Sequence, residues 1–378
     1  MQPTKFSFNN KQLAMLSIGC MRFDGRKQAE ELIPYCVKNG AIFLDTSPMY
    51  CYRSEEENNE TWVGSAIKGI RDQVILSAKC SPGDGGTGIG EYNKAHGFSI
   101  TTADQVRAEI EQSLKRLNVD YFDVYQLWTV HTDEVYKYAC KKGGWIEGAM
   151  KAKEEGLFKH LGMTTHSGND FIKMIVDEGI FETITAPFHI IDNSRLDSLL
   201  YALSKNNAPI AMNPLAGGTL ADADRQTAAK LSDKENLSSV DLALRYINSY
   251  GISALAGMSN IEQAKINIEI MQKPVLTTGQ AESLRNRFLK MIDATQFKCT
   301  SCGYCMPCPE DINIPEIFKL WNQVKVLGFS EASDALKQMS AKDDGYIIKN
   351  CTKCGSCEKK CPNQLKIIEM LDAIKGEI

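Results

Sequence analysis

The sequence predicts an α/β fold, a closed (β/α)8 TIM barrel followed by a small α-helical, cysteine-rich domain. Two observations support this prediction. From Leu13 to about Gln272, short β-branched runs alternate with longer stretches of helical period, as in repeated βα units on a parallel sheet. Beyond them, eight cysteines stand in two regular runs close to the end of the chain. An open doubly wound sheet is the alternative for the first part.

Eight strands are predicted in order along the barrel. They are Met15–Met21, Ile42–Ser47, Val74–Lys79, Tyr121–Trp128, His160–Thr165, Thr183–Phe188, Pro209–Leu215 and Ile252–Gly257. Helical segments separate them, such as Gln105–Leu117 with Val106, Ile110 and Leu114 on one apolar stripe. Eight units in about 290 residues suit a TIM barrel in number and size. We therefore expect a barrel over residues 1–290 and a second domain over 291–378.

Composition and charge limit the classes of protein to which the chain can belong. The 378 residues are 43% hydrophobic and 24% charged, which is ordinary for a globular protein. The net charge of −4 comes without a basic stripe, so nucleic acid is not expected as a partner. No segment has the charge and apolar pattern of a signal peptide or a membrane span. We expect a soluble, cytoplasmic protein that does not bind membranes.

The two cysteine runs carry the clearest chemical signal. Their members are Cys299, Cys302, Cys305 and Cys308, then Cys351, Cys354, Cys357 and Cys361. Three thiolates spaced i, i+3 and i+6 suit one cubane cluster, while a fourth that precedes proline can ligate the neighbouring cluster. We expect two [4Fe–4S] clusters with crossed ligands, Cys361 joining the first three and Cys308 joining the second three. Tetrahedral zinc remains the alternative.

Polar residues close several predicted strands. In a TIM barrel the chemistry lies where the strands end at the carboxyl face. Asp45 and Lys79 end neighbouring strands, and Thr164, Thr165 and Asn213 end later ones. From position alone, a purely structural ion pair is the favoured explanation of Asp45 and Lys79.

Three segments, Leu44–Tyr50, Ile75–Lys79 and Lys153–Gly162, resemble the aldo-keto reductases. Met212–Leu215 and Gly257–Ser259 resemble the branch of that family whose barrel precedes a dicluster ferredoxin module. This resemblance implies an NAD(P)-dependent oxidoreductase that transfers hydride between nicotinamide and a carbonyl or secondary alcohol. It also implies a catalytic tetrad of Asp, Tyr, Lys and His.

The first three tetrad positions match Asp45, Tyr50 and Lys79. A tyrosine titrates near pH 10, so a neighbouring ammonium is needed to favour its phenolate at neutral pH. We expect Lys79 to supply that charge and Asp45 to hold Lys79 in place. Tyr50 is then the general acid toward a carbonyl and the general base toward an alcohol.

The fourth tetrad position departs from the family pattern, because Trp128 stands where the family has histidine. An indole N–H can donate a hydrogen bond but cannot titrate. We expect a histidine from elsewhere to serve the site, with His131 first, His166 second and His189 third in order of preference.

Cofactor contacts also follow from the resemblance. The expected residues are Thr164, Thr165, Thr185, Met212, Asn213, Met258, Ser259, Gln263 and Asn267. Gly257 and Gln263 occupy positions where a cation would clasp the 2′-phosphate of NADP, so NAD is slightly favoured over NADP. Lys265 is a cation in the same segment, so the preference for NAD over NADP is weak.

Two long segments, Cys80–Thr101 and Thr129–Gly148, are expected to shape the substrate pocket. They contain the aromatic residues Tyr92, Phe98, Tyr136 and Trp145 and the polar residues Asn93, His96 and Asp133. This mixture suits a sugar or polyol as the carbonyl or alcohol substrate, and plain packing within the loops is the alternative. Between the cysteine runs, Ile314–Val326 and Glu331–Met339 read as amphipathic helices, resembling the α-helical ferredoxins.

Two other functions stay open. A redox-neutral epimerase or eliminase would keep its NAD(P) bound and use it twice on one substrate. A nucleotide-sensing, electron-transfer scaffold would instead pass electrons through the clusters to a protein redox partner.

Overall fold

The computed structural model describes residues 1–81, 100, 102–130, 132–222, 238–290, 299–327, 330–341 and 348–377. Across these ranges, no helix is both long enough and apolar enough to cross a lipid bilayer.

Eight parallel strands form a closed barrel, as predicted. An antiparallel hairpin, β1 (Pro3–Phe8) and β2 (Lys11–Ala14), precedes them. The barrel strands are β3 (Leu16–Gly19), β4 (Phe43–Asp45), β5 (Ile75–Cys80), β6 (Phe122–Val130), β7 (Phe158–Thr165), β8 (Thr183–Pro187), β9 (Ala208–Met212) and β10 (Ser253–Gly257). They pair in sequence order, and β10 closes the barrel against β3. The open-sheet alternative is therefore wrong.

Helices surround the barrel and continue into the C-terminal part of the chain. Around the barrel they are α1 (Arg26–Lys38), α2 (Asn59–Ala66), α3 (Ala103–Leu117), α4 (Asp133–Cys140), α5 (Trp145–Glu154), α6 (Asn169–Asp177), α7 (Leu196–Ser204), α8 (Thr219–Asp222), α9 (Ser239–Asn248), α10 (Ile261–Gln272) and α11 (Thr278–Leu289). The C-terminal helices are α12 (Ile314–Lys325), α13 (Ser330–Ala341), α14 (Ser356–Lys359) and α15 (Ile367–Glu377).

Local sequence explains where these helices begin and end. Thr102 caps α3 and exchanges hydrogen bonds with Gln105 in a capping box, which satisfies two otherwise unpaired N–H groups. Asn118 ends the helix in the left-handed conformation, with φ of 54°. The predicted apolar stripe of α3 is buried against the barrel.

The N-terminal hairpin is an element that the sequence analysis did not predict. Phe6 and Phe8 pack with Leu13 and Ile75 in a separate apolar cluster that fills one end of the barrel. The turn uses Asn9 and Asn10 at φ of 49° and 62°, the backbone that a tight hairpin requires. Two adjacent asparagines between short apolar runs were the signal for it.

The C-terminal domain contacts the barrel directly. The Arg22 guanidinium donates from Nη2 to the carbonyl oxygen of Ser301 at 2.9 Å. Gly217 is in the left-handed conformation, and a Cβ there would lie 2.1 Å from the carbonyl oxygen of Thr300. Only glycine permits this approach, so the two parts of the chain pack backbone to backbone near the barrel mouth.

Two helical glycines test how tightly the helix layer packs. In Gly64→Ala, the new Cβ of α2 would lie 2.3 Å from the backbone oxygen of Leu117. We expect this variant to lose about 1–3 kcal/mol of unfolding free energy. Gly279→Ala is the matched control, since nothing lies within 4 Å of its Cβ, and alanine should stabilise α11 by up to about 1 kcal/mol. Urea unfolding of both variants gives the comparison, and equal midpoints would contradict the packing at α2.

Candidate active site and cysteine clusters

Asp45, Lys79 and Tyr50 lie together at the carboxyl end of the barrel. Lys79 Nζ donates to Asp45 Oδ2 in an ion pair whose side chains are almost fully buried. The same ammonium lies 4.9 Å from the centroid of the Tyr50 ring, and the Tyr50 side chain is buried as well. The three residues that match the family tetrad therefore line one pocket, which we call the catalytic pocket.

Burial is the main influence on the pKa of Tyr50. Burial raises the pKa of Tyr50 well above its usual value of 10, and the Asp45 carboxylate raises it further. The Arg22 guanidinium opposes this shift. Burial disfavours a phenolate, and the role expected for Lys79 stays a prediction. At neutral pH Tyr50 is a protonated phenol that can donate a proton.

Gln126, which the sequence analysis did not select, anchors the ion pair from within β6. Its side-chain N–H groups donate to Asp45 Oδ1 at 2.9 Å and to Ser77 Oγ at 2.8 Å. Its carbonyl oxygen accepts from Thr185 Oγ1 at 2.9 Å. An amide in the middle of a strand expected to be buried was the available signal. Thr185, expected to contact the cofactor, lines the pocket while its hydroxyl is bonded to Gln126.

Aromatic side chains of both parts of the chain cover the pocket. The Trp128 ring lies edge-on to Tyr50 with centroids 6.1 Å apart, and Tyr304 packs on the other side of Trp128 at 5.9 Å. Cys302 and Tyr304 both line the pocket, which has a volume of about 100 Å³. The first cysteine run therefore forms part of the wall of the catalytic pocket.

The three candidate histidines have different surroundings. His131 lies outside the described residues. His166 lines the catalytic pocket, and its Nδ1 is 3.0 Å from Asn363 Oδ1 of the C-terminal domain. His189 is buried away from the pocket lining, and its Nδ1 accepts a hydrogen bond from the backbone N–H of Asp192. Among the described histidines, His166 is the one beside Tyr50.

A longer cleft of about 420 Å³ adjoins the catalytic pocket and shares Arg22, Asn213, Leu255 and Gly257 with it. We call it the nucleotide cleft. Of the expected cofactor residues, these line one of the two spaces: Thr164, Thr185, Met212, Asn213, Ser259, Gln263 and Asn267.

Two expected cofactor residues lie elsewhere. Thr165 uses its hydroxyl to bond the Val130 carbonyl and to accept from the backbone N–H of Ser167 at 3.0 Å. Met258 is buried and lines neither space. Both side chains stabilise the barrel top, so the structure gives no support to their expected contact with the cofactor.

The charges that line the nucleotide cleft favour an anionic ligand. Its lining contains the cations Arg22 and Lys319, and none of its lining residues is acidic. Gly217 and Gly218 lack side chains, so a ligand can approach the backbone closely there. Lys319 comes from α12, far along the chain, and no local sequence signal connects it with this cleft.

The eight cysteines of the two runs fall into two sets. The Cys361 thiol lies within electrostatic range of Cys299, Cys302 and Cys305. Cys308 lines one small cavity together with Cys351, Cys354 and Cys357. This grouping agrees with the crossed sets expected from the spacing, and Cys357 of the second set is also a neighbour of Cys305. Their ligation of clusters stays a prediction.

The surroundings of the first set suit cluster ligands. Burial raises the pKa of Cys299 to about 12 and that of Cys302 to about 11. Backbone N–H groups face the sulfurs, for example Ser301 N–H donating to Cys299 Sγ at 3.3 Å. Buried thiolates need a positive partner, and an iron–sulfur core supplies one.

The loop residues expected to contact substrate are only partly described. Tyr92, Asn93, His96 and Phe98 lie outside the described residues. The expectation for Tyr136 and Trp145 is wrong, because both are buried in the main core, where Trp145 stacks on Tyr125 at 6.1 Å. Asp133 lines a separate polar cavity of about 750 Å³ that His166 also borders.

Comparison with known proteins agrees with this architecture. The family model described as the aldo/keto reductase family matches residues 15–286, more than half of the chain. The chain belongs to the aldo/keto reductase family. It is an NAD(P)-dependent oxidoreductase of that type. A second model, described as a 4Fe-4S dicluster domain, matches residues 298–366.

Relatives and solved structures extend the comparison. The chain is 24% identical to an uncharacterized oxidoreductase, YqkF, of Bacillus subtilis (strain 168), over 76% of this chain and 96% of that protein. It is 27% identical to L-galactose dehydrogenase of Arabidopsis thaliana, over 61% of this chain and 73% of that protein. Aldo-keto reductase AKR11C1 from Bacillus halodurans shares its fold, with a TM-score of 0.60 at 21% identity, covering 75% and 96% of the two chains.

The buried His189 predicts a pH dependence of stability. Burial lowers its pKa from 6.5 to about 4, with Asp192, Arg195 and Arg285 as its charged neighbours. Between these values the unfolded chain takes up a proton that the folded protein excludes. Stability should therefore fall as pH drops from 6.5 toward 4, by up to about 3 kcal/mol from this group.

The variant His189→Asn retains a hydrogen-bond acceptor for Asp192 N–H and removes the titration. Urea unfolding at pH 7.5 and pH 5 should show a smaller loss for this variant than for the wild type. The same loss in both proteins would rule out His189 as its source.

Proposed function

We propose that the protein transfers hydride between a nicotinamide nucleotide and a carbonyl or secondary alcohol, with Tyr50 as the proton donor or acceptor. The observation that carries this proposal is the buried group of Tyr50, Lys79 and Asp45 at the junction with the nucleotide cleft. Enclosure supports it as well, since a pocket covered by aromatic rings keeps water away from the reacting carbon.

When bound, the nicotinamide ring supplies the hydride in reduction and accepts it in oxidation. Tyr50 donates its proton to the carbonyl oxygen as the new C–H bond forms. The Lys79 ammonium, 4.9 Å from the Tyr50 ring, stabilises the negative charge that the phenol then carries. The raised pKa of Tyr50 favours recovery of the proton from water. Asp45 and Gln126 keep Lys79 in position.

His166 is the described histidine that suits the role of the missing tetrad imidazole. It borders the catalytic pocket and is oriented by Asn363. We propose that it binds the substrate oxygen. His131, the first choice from the sequence, stays a prediction.

The substrate is proposed to be a small carbonyl or alcohol with further hydroxyl groups. The polar cavity beside His166 supports this class, since Ser167, Asn193 and Asp192 line it and the Ser167 hydroxyl has no partner among the described residues. L-galactose dehydrogenase of Arabidopsis thaliana is a relative that acts on such a compound by its name. A protein redox partner and a cytoplasmic location also remain proposals.

For the cofactor we retain the slight preference for NAD over NADP. It rests on Gly257 and Gln263, neither of which can clasp a 2′-phosphate as a cation would. Lys319 adds a cation to the cleft from the second domain, so both nucleotides belong in every assay. The division into residues 1–290 and 291–378 is likewise a proposal.

Tyr50→Phe tests the catalytic proposal. It removes the proton donor and keeps the ring that packs on Trp128. We expect the rate of NAD(P)H oxidation with aldehydes, ketones and sugars under anaerobic conditions to fall by about 10²–10⁴-fold, with nucleotide affinity kept. Tyr52→Phe is the matched control, because Tyr52 is exposed and bonded to Glu55. If both variants retain wild-type rates, Tyr50 is not the proton donor.

The cysteine sets are proposed to bind two [4Fe–4S] clusters. Protein purified without oxygen should contain about eight iron and about eight sulfide ions per chain. Cys361→Ser should lower the iron content and change the cluster spectrum, whereas Cys140→Ser, at an exposed cysteine outside both sets, should not. Two zinc ions and no sulfide would support the zinc alternative instead.

A redox-neutral epimerase or eliminase is the second candidate. The cover formed by Cys302 and Tyr304 supports it, since an enclosed nucleotide leaves slowly. Nucleotide that co-purifies and does not exchange during turnover would distinguish it from a reductase that releases its cofactor each cycle.

A further inference from the structure

The nucleotide cleft carries a charge pattern that the barrel alone does not provide. Its two cations differ in origin, since Arg22 follows β3 while Lys319 lies on α12 of the C-terminal domain. None of the residues that line the cleft is acidic. A ligand with two or three phosphate negative charges is complementary to such a surface.

Lys319 is held at the cleft by the packing of its helix. The neighbouring residues Ile317 and Phe318 are buried, and α12 contacts α8, the short helix that follows the loop of Gly217. Lys319 itself is half-buried. A lysine on a packed helix loses less side-chain entropy on binding than one on a mobile loop.

The C-terminal domain also contacts Arg22, the other cation of the cleft. The carbonyl oxygen of Ser301 accepts a hydrogen bond from Arg22 Nη2 at 2.9 Å, beside Cys302 in the first cysteine run. Arg22 borders both the catalytic pocket and the nucleotide cleft. The C-terminal domain thus supplies Lys319 and orients Arg22.

From these contacts we infer that Lys319 binds a phosphate group of the dinucleotide, which makes the C-terminal domain part of the cofactor site. The inference rests on the proposed function, since it requires a nicotinamide nucleotide in this cleft. The pyrophosphate is common to NADH and NADPH, and the 2′-phosphate belongs to NADPH alone. An ammonium binds either group through charge-assisted hydrogen bonds.

Binding of NADH and NADPH to the cluster-loaded protein tests the inference. Lys319→Ala should weaken binding about ten-fold or more, and Lys319→Arg should restore most of the loss. A loss with both nucleotides assigns Lys319 to the pyrophosphate, and a loss with NADPH alone assigns it to the 2′-phosphate. Lys325→Ala is the matched control, since Lys325 ends the same helix over the Trp321 ring and does not line the cleft.

Iron and sulfide content and the circular dichroism spectrum should match the wild type in all three variants, which separates a lost contact from a lost fold. Unchanged affinity of Lys319→Ala for both nucleotides would overturn the role of Lys319 and leave the proposed function standing. Failure of the wild type to bind either nucleotide would overturn both.

Discussion

A lysine buried at the centre of the barrel mouth sets the main constraint on this structure. Lys79 is 2% exposed, so its ammonium requires an anion, and Asp45 supplies it. Removing one member of such a pair leaves an uncompensated buried charge, at a cost of about 3–5 kcal/mol. Gln126 and Thr185 extend the pair into a hydrogen-bonded network that spans β4, β5, β6 and β8. The network holds the ammonium beside Tyr50, and the remainder of the site is arranged around it.

The C-terminal domain completes the site, in addition to any role in electron transfer. Tyr304 packs against Trp128 over the pocket, Asn363 bonds to His166, and Lys319 lines the nucleotide cleft. The contact with Tyr304 indicates a structural role for Trp128. In place of the family histidine, it offers a large ring face to which the cysteine-rich domain can bind. His166, whose ring is bonded to Asn363 of the same domain, is our proposed source of the imidazole that is absent at position 128.

The architecture could be predicted from the sequence, but the sets of residues that distant contacts bring together could not. All eight barrel strands and the helices of the spacer were predictable, because each has its own hydrophobic period and turn signals. The N-terminal hairpin was missed, although Asn9 and Asn10 marked its turn. The burial that raises the pKa of Tyr50 could not be predicted, because it depends on packing that no local pattern records.

What the sequence determined by itself is the local chemistry: the cysteine spacing, the match of Asp45, Tyr50 and Lys79, and the periodicity of the strands. These are set by neighbours along the chain. The tertiary structure alone decided that His166 borders the pocket, that Gln126 anchors the ion pair, and that Lys319 lines the cleft with Arg22. Such contacts join residues tens to hundreds of positions apart. They exist only once closure of the barrel and docking of the second domain bring those surfaces together.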